Sequence, residues 1–520
     1  MSNKGSASRL HFMYRQRMLF CRHIFSFGEI RFRRHGTFSW RVACFLIASS
    51  MLVFSACGTS KQIAALANKT LLQRSEVATA HVGISITDVN SGQSLYSYQG
   101  DKYFIPASNT KLLTCYAAMK HLGDSIEGLR YFEAPADMVA TRTAPSSGGQ
   151  PLAQYAMAAD SNTRRADEGV AAGRLKTMCI LPTGDPSFLH PDFSYQPVAA
   201  FLKRNKLASF VVFGDNWRTT SWGNGWAWSD YEDYYMAERS AFPIYGNVVR
   251  IRKTAASFSM QPSGFSLTHE GDDVGADDDT YGRDRNSNRF YRRPSPVKHS
   301  TLAAAKKTLS IDIPFMTALP VSVQLLRDTL GLMISEGSAA PQGALQHVIY
   351  SQPVDSVLRI MMHRSDNFLA EQSLLLVSNS LLRQLNEAAV IDSLLSTDYA
   401  GMPQAPRWVD GSGLSRYNLI SPQDFTWLLH KMKQDFSWQR ITGILETGGQ
   451  GTLSGYYKQY AGRIYAKTGT LSNNVSLSGY LLTQKGKVLA FSVMVNNHKA
   501  SVSDIRREVE AFLGGVIDKW

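Results

Sequence analysis

The chain has 520 residues, which is more than one domain of ordinary size, so two or three domains are expected. Its 44% hydrophobic and 19% charged residues exclude a wholly disordered chain, a coiled coil and a collagen-like fibre. The net charge is +13, but residues 1–56 carry nine basic side chains against one acid, Glu29. Because most of the positive charge lies in that segment, it indicates a targeting sequence and not a nucleic-acid-binding surface.

The N-terminal segment is typical of a bacterial export signal. Basic residues precede an apolar run that is too short to span a membrane comfortably and ends in Ser55-Ala56-Cys57. These three residues resemble a lipobox, although Phe54 stands where leucine is usual. We therefore expect residues 1–57 to be a signal peptide with Cys57 as the lipidated residue, and the protein to reside in the cell envelope or periplasm. A plain signal peptide and an uncleaved anchor are the alternatives.

Two cysteines farther along the chain, Cys115 and Cys179, have neither metal-binding nor redox spacing. They are predicted to be small buried apolar side chains. The sequence also has no zinc motif, Walker loop or dinucleotide fingerprint.

The first predicted elements after the signal are a hairpin and a helix. Residues Val82–Tyr98 alternate between apolar and polar around a turn at 90–92, which predicts two antiparallel strands. Apolar residues at helical spacing then predict a helix over Ser108–Leu122 that is stopped by Gly123.

The middle of the chain, 125–350, has a different pattern. It contains short strand-like runs at 210–213, 247–251 and 309–313. Two polar stretches, 137–169 and 271–294, are predicted to be mobile surface loops.

Helices return after about residue 350. Residues Ser356–Ser380 are predicted to form one long amphipathic helix, and 505–517 a terminal helix. Between them, 477–496 is predicted to form two strands around a turn at 484–486.

This order of elements predicts an α/β (α+β) catalytic body that is split by an insertion. Its two parts would be residues 58–124 and 351–520, and the β-rich inserted domains would occupy 125–350.

Three short motifs carry the chemistry. They are Ser108-Asn109-Thr110-Lys111, Ser365-Asp366-Asn367 and Lys467-Thr468-Gly469. Together they match the Ser-x-x-Lys, Ser-x-Asn and Lys-Thr-Gly set of penicillin-recognising serine enzymes.

The spacing of the first motif explains its chemistry. Residues i and i+3 share one face of a helix, so the Lys111 amine can reach the Ser108 hydroxyl. A desolvated amine near another cation has a lowered proton affinity and can act as a base toward a serine nucleophile.

The other two motifs supply proton transfer and substrate binding. Ser365 can pass a proton to the leaving amine, and Asn367 can hold a substrate amide. A terminal carboxylate can bind to the charge of Lys467 and the hydroxyl of Thr468. The absence of a side chain at Gly469 would let substrate backbone lie along the strand edge.

The evidence is specific because all three motifs occur together and in the expected order. Formal second copies occur at 295–298 and 472–474, and both are interpreted as accidental because of their context and order. The structural alternatives are a helix N-cap for Ser108, a solvated helix face for Ser365 and Asn367, and an exposed strand lysine for Lys467.

These residues resemble the D-alanyl-D-alanine carboxypeptidase/endopeptidase family, the class C low-molecular-mass penicillin-binding proteins. The gap of 254 residues from Lys111 to Ser365 is typical of that family, which inserts extra domains there. Further matching stretches are Ile105–Leu112, Gly184–Pro186, Trp222–Trp228, Asp410–Arg416 and Ala466–Leu471.

The resemblance implies a serine transpeptidase-like body in which Ser108 forms an acyl-enzyme with the penultimate D-Ala of a peptidoglycan stem peptide. It also implies that the backbone N–H groups of Ser108 and Thr470 form an oxyanion hole, and that Arg416 and Asp215 line a side-chain pocket. β-Lactams would be covalent inhibitors, and neither a metal nor an organic cofactor is implied. The alternatives are a β-lactamase or esterase on the same body, and a non-catalytic peptidoglycan-binding lipoprotein.

Overall fold

A computed structural model describes residues 58–134, 177–254, 257–270, 279–294, 308–340 and 346–520. Four sequence predictions lie outside the described residues: the signal segment 1–57, its Cys57, the polar stretch 137–169 and the second motif copy at 295–298.

A six-stranded antiparallel sheet forms the centre of the catalytic body, with strand order β14-β15-β16-β17-β1-β2. Its strands are β1 (His81–Asp88), β2 (Ser94–Tyr98), β14 (Glu446–Thr447), β15 (Ile464–Leu471), β16 (Asn474–Leu482) and β17 (Val488–Asn496). The predicted hairpins are confirmed, and Gly486 makes the turn between β16 and β17 with φ +78°. The apolar run of β17 is buried almost throughout because both faces of the sheet are covered.

Helices cover both faces of this sheet. The helices of the catalytic body are α1 (Lys111–His121), α4 (Val354–Arg364), α5 (Asn367–Leu382), α6 (Glu387–Ser396), α7 (Pro422–Asp435), α8 (Trp438–Ile444) and α9 (Val502–Lys519). Two further helices, α2 (Pro197–Arg204) and α3 (Leu319–Leu330), belong to a separate apolar cluster in the middle of the chain. On one face, Phe491 belongs to the same apolar cluster as Phe512 of α9, which confirms the predicted terminal helix. On the other face, Tyr480 and Met494 belong to the cluster that contains α1, α5 and α7.

Helix α1 is the most deeply buried helix of the catalytic body. The 3-10 turn Ala107–Thr110 leads into it, and it ends before Gly123, whose φ is +69°. The predicted helix is therefore confirmed, but Lys111–Met119 is buried on all sides and not only along an apolar stripe.

The single helix predicted over Ser356–Ser380 is wrong, because the structure has two helices there. Helix α4 ends at Ser365, which adopts the left-handed conformation with φ +57°. Asp366 then caps α5 by accepting a hydrogen bond from the Leu369 backbone N–H at 2.9 Å. The apolar periodicity continues across this break, so the periodicity alone did not reveal it.

The described residues of the middle of the chain form three sheets. A five-stranded mixed sheet has the order β12-β5-β4-β3-β13, and two three-stranded sheets have the orders β8-β10-β9 and β11-β6-β7. The strands are β3 (Ser125–Ala134), β4 (Thr177–Pro182), β5 (Ser209–Val212), β6 (Val248–Thr254), β7 (Phe258–Gln261), β8 (Leu267–His269), β9 (Asp279–Arg283), β10 (Phe290–Pro294), β11 (Thr308–Pro314), β12 (Met333–Glu336) and β13 (His347–Pro353). The strand-like runs are thus confirmed, while the domain boundaries at 124/125 and 350/351 stay a prediction.

The mobile loop predicted over 271–294 is wrong for its described part, since 279–294 contains the hairpin of β9 and β10. Its charges stabilise this hairpin: Arg289 Nε lies 2.7 Å from Asp284 Oδ2 across the turn. The aromatic ring of Phe290 is fully buried, which anchors β10 to the core of the insertion.

Cys115 and Cys179 are free and buried, as predicted. Burial raises the pKa of Cys115 to about 12 and that of Cys179 to about 11, so both stay protonated thiols. Among the described residues, no helix combines the length and apolar character needed to cross a membrane.

Candidate active site

The first motif brings a serine hydroxyl and a lysine amine into contact. Ser108 lies in the 3-10 turn before α1, and the Nζ atom of Lys111, the first residue of that helix, lies 2.9 Å from Ser108 Oγ. The turn leaves Ser108 half-buried, while Lys111 has no exposed surface. The hydroxyl therefore faces the site, and the amine behind it is shielded from water.

The environment of Lys111 favours its neutral form. Burial, and then the charge of Lys467, lowers the pKa of Lys111 to about 7. Its Nζ also lies 2.6 Å from Asn367 Oδ1 and 2.8 Å from the Ser412 carbonyl oxygen. A neutral amine has two N–H bonds and one lone pair, so it can donate to these two acceptors and accept the Ser108 hydroxyl proton.

The second motif lies at the break between α4 and α5. Asn367 is the first residue of α5; its side chain contacts Lys111 and also donates to the Tyr235 carbonyl oxygen at 2.9 Å. Ser365 stands two residues earlier in the left-handed turn and is half-buried. The interpretation as a solvated helix face is therefore wrong, because this motif stands at a helix junction beside the lysine.

The third motif lies on β15, beyond the short stretch where β14 covers that strand. Lys467 is fully buried, so the interpretation as an exposed strand lysine is wrong. Its Nζ donates to the Thr468 carbonyl oxygen at 2.9 Å, and burial lowers its pKa to about 8. The carboxylate of Glu446 opposes this shift, so Lys467 retains positive charge near neutral pH.

Gly469 fits this site for a different reason from the one predicted. A Cβ atom at this position would lie 2.1 Å from Ser476 Oγ and 2.6 Å from the Pro106 carbonyl oxygen. The protein itself, and not substrate backbone, fills the space where a side chain would project. Gly469 thus lets β15 dock directly against the turn that carries Ser108.

Two other predicted residues lie near the end of β15. Thr470 is exposed, and its Oγ1 accepts a hydrogen bond from Arg506 Nη2 at 2.9 Å. Arg416 is exposed and approaches the Ser472 carbonyl oxygen at 3.4 Å through Nη1. Residues 472–474 form the turn into β16, which agrees with the interpretation of that motif copy as accidental.

Asp215 follows strand β5 in the middle of the chain. It lines a cavity of about 670 Å³ together with Glu127, Arg130 and Arg383. No residue of the three motifs lines that cavity. The role of Asp215 in a substrate pocket stays a prediction.

Sequence reasoning missed the residues that hold the Ser412 carbonyl against Lys111. Asp410 accepts hydrogen bonds from the backbone N–H groups of Gly413 at 2.8 Å and Ser415 at 2.7 Å, and from Trp226 Nε1 at 2.9 Å. The stretch Asp410–Arg416 was noticed for its resemblance alone. Its Asp-Gly-Ser-Gly pattern, which is typical of a tight turn, was the available signal.

A buried charge cluster supports the same loop. Glu371 accepts from the Ser412 backbone N–H at 2.8 Å and faces Arg239 at 3.5 Å. Arg239 also pairs with Glu387 at 3.1 Å. Burial, followed by the charge of Asp410, raises the pKa of Glu371 to about 7. Sequence spacing could not reveal this cluster because its members come from distant segments.

The comparisons with known proteins agree with this geometry. The model of the D-Ala-D-Ala carboxypeptidase 3 (S13) family matches residues 63–128 and 330–514, which contain all three motifs. Over these residues the chain is similar to this family. The predicted family is thereby confirmed, and the unmatched stretch 129–329 falls inside the predicted insertion.

Curated relatives span most of the chain. It is 23% identical over 461 residues to the D-alanyl-D-alanine carboxypeptidase DacB of Haemophilus influenzae, covering 81% of this chain and 86% of that protein. It is 24% identical over 468 residues to the D-alanyl-D-alanine carboxypeptidase of Actinomadura sp. strain R39, covering 80% and 78%.

A solved structure shows the same fold. Penicillin-binding protein 4 (dacB) from Haemophilus influenzae superposes with a TM-score of 0.61 at 18% identity, and the match covers 87% of this chain and 98% of that one. The predicted fold class, a penicillin-recognising serine enzyme body, is confirmed.

Proposed function

We propose that this protein is a serine DD-peptidase of peptidoglycan that cleaves D-alanyl-D-alanine termini and D,D cross-links through an acyl-enzyme, and that β-lactams acylate it. The observation that carries the proposal is the contact of 2.9 Å between Ser108 Oγ and the fully buried Lys111 Nζ. Similarity to the S13 family and to the carboxypeptidase relatives supports the same substrate class.

Acylation begins at Ser108. Neutral Lys111 takes the hydroxyl proton while Oγ attacks the carbonyl carbon of the penultimate D-Ala. Backbone N–H groups of Ser108 and Thr470 stabilise the oxyanion; one such donor is typically worth about 10²–10³ in rate. The scissile C–N bond then breaks, and Ser365 relays the proton to the leaving amine. Water later cleaves the ester and regenerates the Ser108 hydroxyl.

Substrate binding uses the end of β15. The cation of Lys467 and the hydroxyl of Thr468 receive the free carboxylate after the scissile bond. In a D,D cross-bridge the residue after the scissile bond also has a free carboxylate, so the same pair can hold either substrate. Arg506, which contacts Thr470, adds a second cation beside this position.

Ser108→Ala should abolish covalent labelling by a fluorescent penicillin, because Ser108 supplies the hydroxyl that hydrogen-bonds to Lys111 among the described residues. Gel fluorescence of purified 58–520 is the measurement, and Ser295→Ala is the matched control that should label normally. Stable labelling of the unsubstituted protein supports a peptidase, rapid loss of label indicates a β-lactamase or esterase, and no labelling indicates a non-catalytic protein. Normal labelling of the Ser108 variant would refute the nucleophile assignment.

The plot of the acylation rate against pH should be bell-shaped, with a narrow maximum. The rate should rise as pH passes about 7, because protonated Lys111 has no lone pair to accept the Ser108 proton. It should fall as pH passes about 8, because neutral Lys467 no longer attracts the carboxylate of the β-lactam. Stopped-flow acylation from pH 5 to 10 measures this profile. A rate that is flat between pH 5 and 7 would contradict the role of Lys111 as base.

Lys467→Ala should weaken carboxypeptidase and endopeptidase activity together, since both leaving groups present a carboxylate to the same cation. The expected loss is roughly 1.5–3 kcal/mol in kcat/KM for a charged hydrogen bond. Chromatography of products from muropeptide monomers and cross-linked dimers is the measurement. If the unsubstituted enzyme releases D-Ala from monomers but leaves cross-linked dimers intact at high enzyme concentration, the proposed endopeptidase activity is refuted.

We also propose that the protein is exported and anchored by lipid on Cys57. The apolar run that ends at Ser55-Ala56-Cys57 supports this, because multiple acyl chains anchor a protein stably. Cells that produce Cys57→Ala should accumulate a precursor that metabolic palmitate labelling does not mark. Label that persists on this variant would rule out the site.

A further inference from the structure

A buried carboxylate lies behind the hydroxyl of Thr468. Glu446 has no exposed surface, and its Oε1 accepts a hydrogen bond from the Thr452 hydroxyl. Its Oε2 accepts from the Thr452 backbone N–H at 2.5 Å. Thr452 Oγ1 in turn lies 2.5 Å from Thr468 Oγ1. A chain of hydroxyl groups therefore connects the carboxylate to the predicted substrate-binding threonine.

The number of protons in this chain fixes its direction. Each threonine hydroxyl has one proton, and an ionised carboxylate can only accept. While Glu446 is ionised, Thr452 donates to it, so Thr468 must donate to Thr452 and has no proton left for a substrate. When Glu446 is protonated, it donates to Thr452, Thr452 donates to Thr468, and Thr468 can donate outward.

We propose that Glu446 is a positioning residue that sets, through Thr452, whether Thr468 can donate to the substrate carboxylate, so that carboxylate binding draws one proton from solvent onto Glu446. This inference rests on the proposed function, because it requires a ligand with a terminal carboxylate. No covalent bond of the ligand changes. The proton enters at Glu446, and the two hydroxyl groups reverse their direction of donation.

The surroundings of Glu446 suit this role. Gly451 has φ +49°, and a Cβ there would lie 2.1 Å from Glu446 Oε2, so backbone packs directly onto the carboxylate. Burial raises the pKa of Glu446, while Lys467 on β15 and the donations from Thr452 oppose that shift. The other charged or titratable groups that interact with Lys467 are Lys111 of α1, Arg506 of α9 and His363 of α4. None of these groups pairs with Glu446 within 4.0 Å among the described residues, which leaves the hydroxyl chain as its direct contact with the site.

The test measures ligand binding in the Ser108→Ala variant, because without this hydroxyl no acyl-enzyme forms and binding is observed alone. Calorimetric titration from pH 5 to 9 compares acetyl-D-alanyl-D-alanine with its C-terminal amide, in buffers of different ionisation enthalpy. The carboxylate ligand should take up protons, and its affinity should fall by up to about tenfold per pH unit above the pKa of Glu446. The amide should show neither effect.

Two variants of Thr452 separate the pH dependence caused by the hydroxyl chain from the pH dependence caused by Lys467, because both variants retain Lys467. Thr452→Val interrupts the chain at constant side-chain volume and should flatten the pH dependence, whereas Thr452→Ser retains the hydroxyl and should preserve it. Glu446→Gln should remove the pH dependence that belongs to the hydroxyl chain, because the amide oxygen faces the Thr452 N–H and the amide N–H faces Thr452 Oγ1. It also removes the charge that raises the pKa of Lys467, so the remaining loss of affinity should begin at a lower pH. In catalytically active enzyme the same changes should appear in KM and its pH slope.

The outcomes are distinct. Equal pH slopes and equal proton uptake for Thr452→Val and Thr452→Ser would overturn the hydroxyl chain and leave the proposed function intact. A uniform loss of affinity at every pH in Thr452→Val would show a merely structural role and would also overturn it. Failure of the carboxylate ligand to bind any variant would overturn the proposed function and this inference together.

Discussion

The active site depends on one buried amine. Lys111 is held by oxygen atoms from three distant segments: the Ser108 hydroxyl, the Asn367 side chain and the Ser412 carbonyl. Water would keep this amine protonated, but its burial near Lys467 brings its pKa to about 7. The packing that excludes water from α1 therefore also favours the neutral amine, the form that the proposed base requires. The stability of the core and the reactivity of the site have the same physical origin.

This dependence explains how the two halves of the body are joined. The first motif lies on α1, and the third lies on a strand whose glycine leaves no gap against the Ser108 turn. The helix break at Ser365 orients the second motif, and Asp366 caps the start of the following helix. Each motif contributes a catalytic group and also a contact that positions another motif. Short linear motifs separated by hundreds of residues can therefore form one rigid constellation.

The sequence predicted the parts of the site that are local in the chain. The i, i+3 spacing of Ser108 and Lys111, the hairpins and the terminal helix all follow from short-range periodicity. The break at Ser365 was missed because apolar residues continue at helical spacing on both sides of it. Glu446, Glu371 and Arg239 were missed because an isolated charged residue in a sequence does not reveal that folding will bury it. Asp215 was predicted from resemblance alone, and its role stays a prediction.

The contact between Asn367 and Tyr235 has a consequence for the architecture. The amide that holds the catalytic lysine also donates to a backbone carbonyl of the inserted region. Trp226, which belongs to the same region, donates to the carboxylate that shapes the Ser412 loop. Residues of the middle of the chain therefore take part directly in positioning the motif residues. Removal of 125–350 would delete two hydrogen bonds that orient Asn367 and the Ser412 loop.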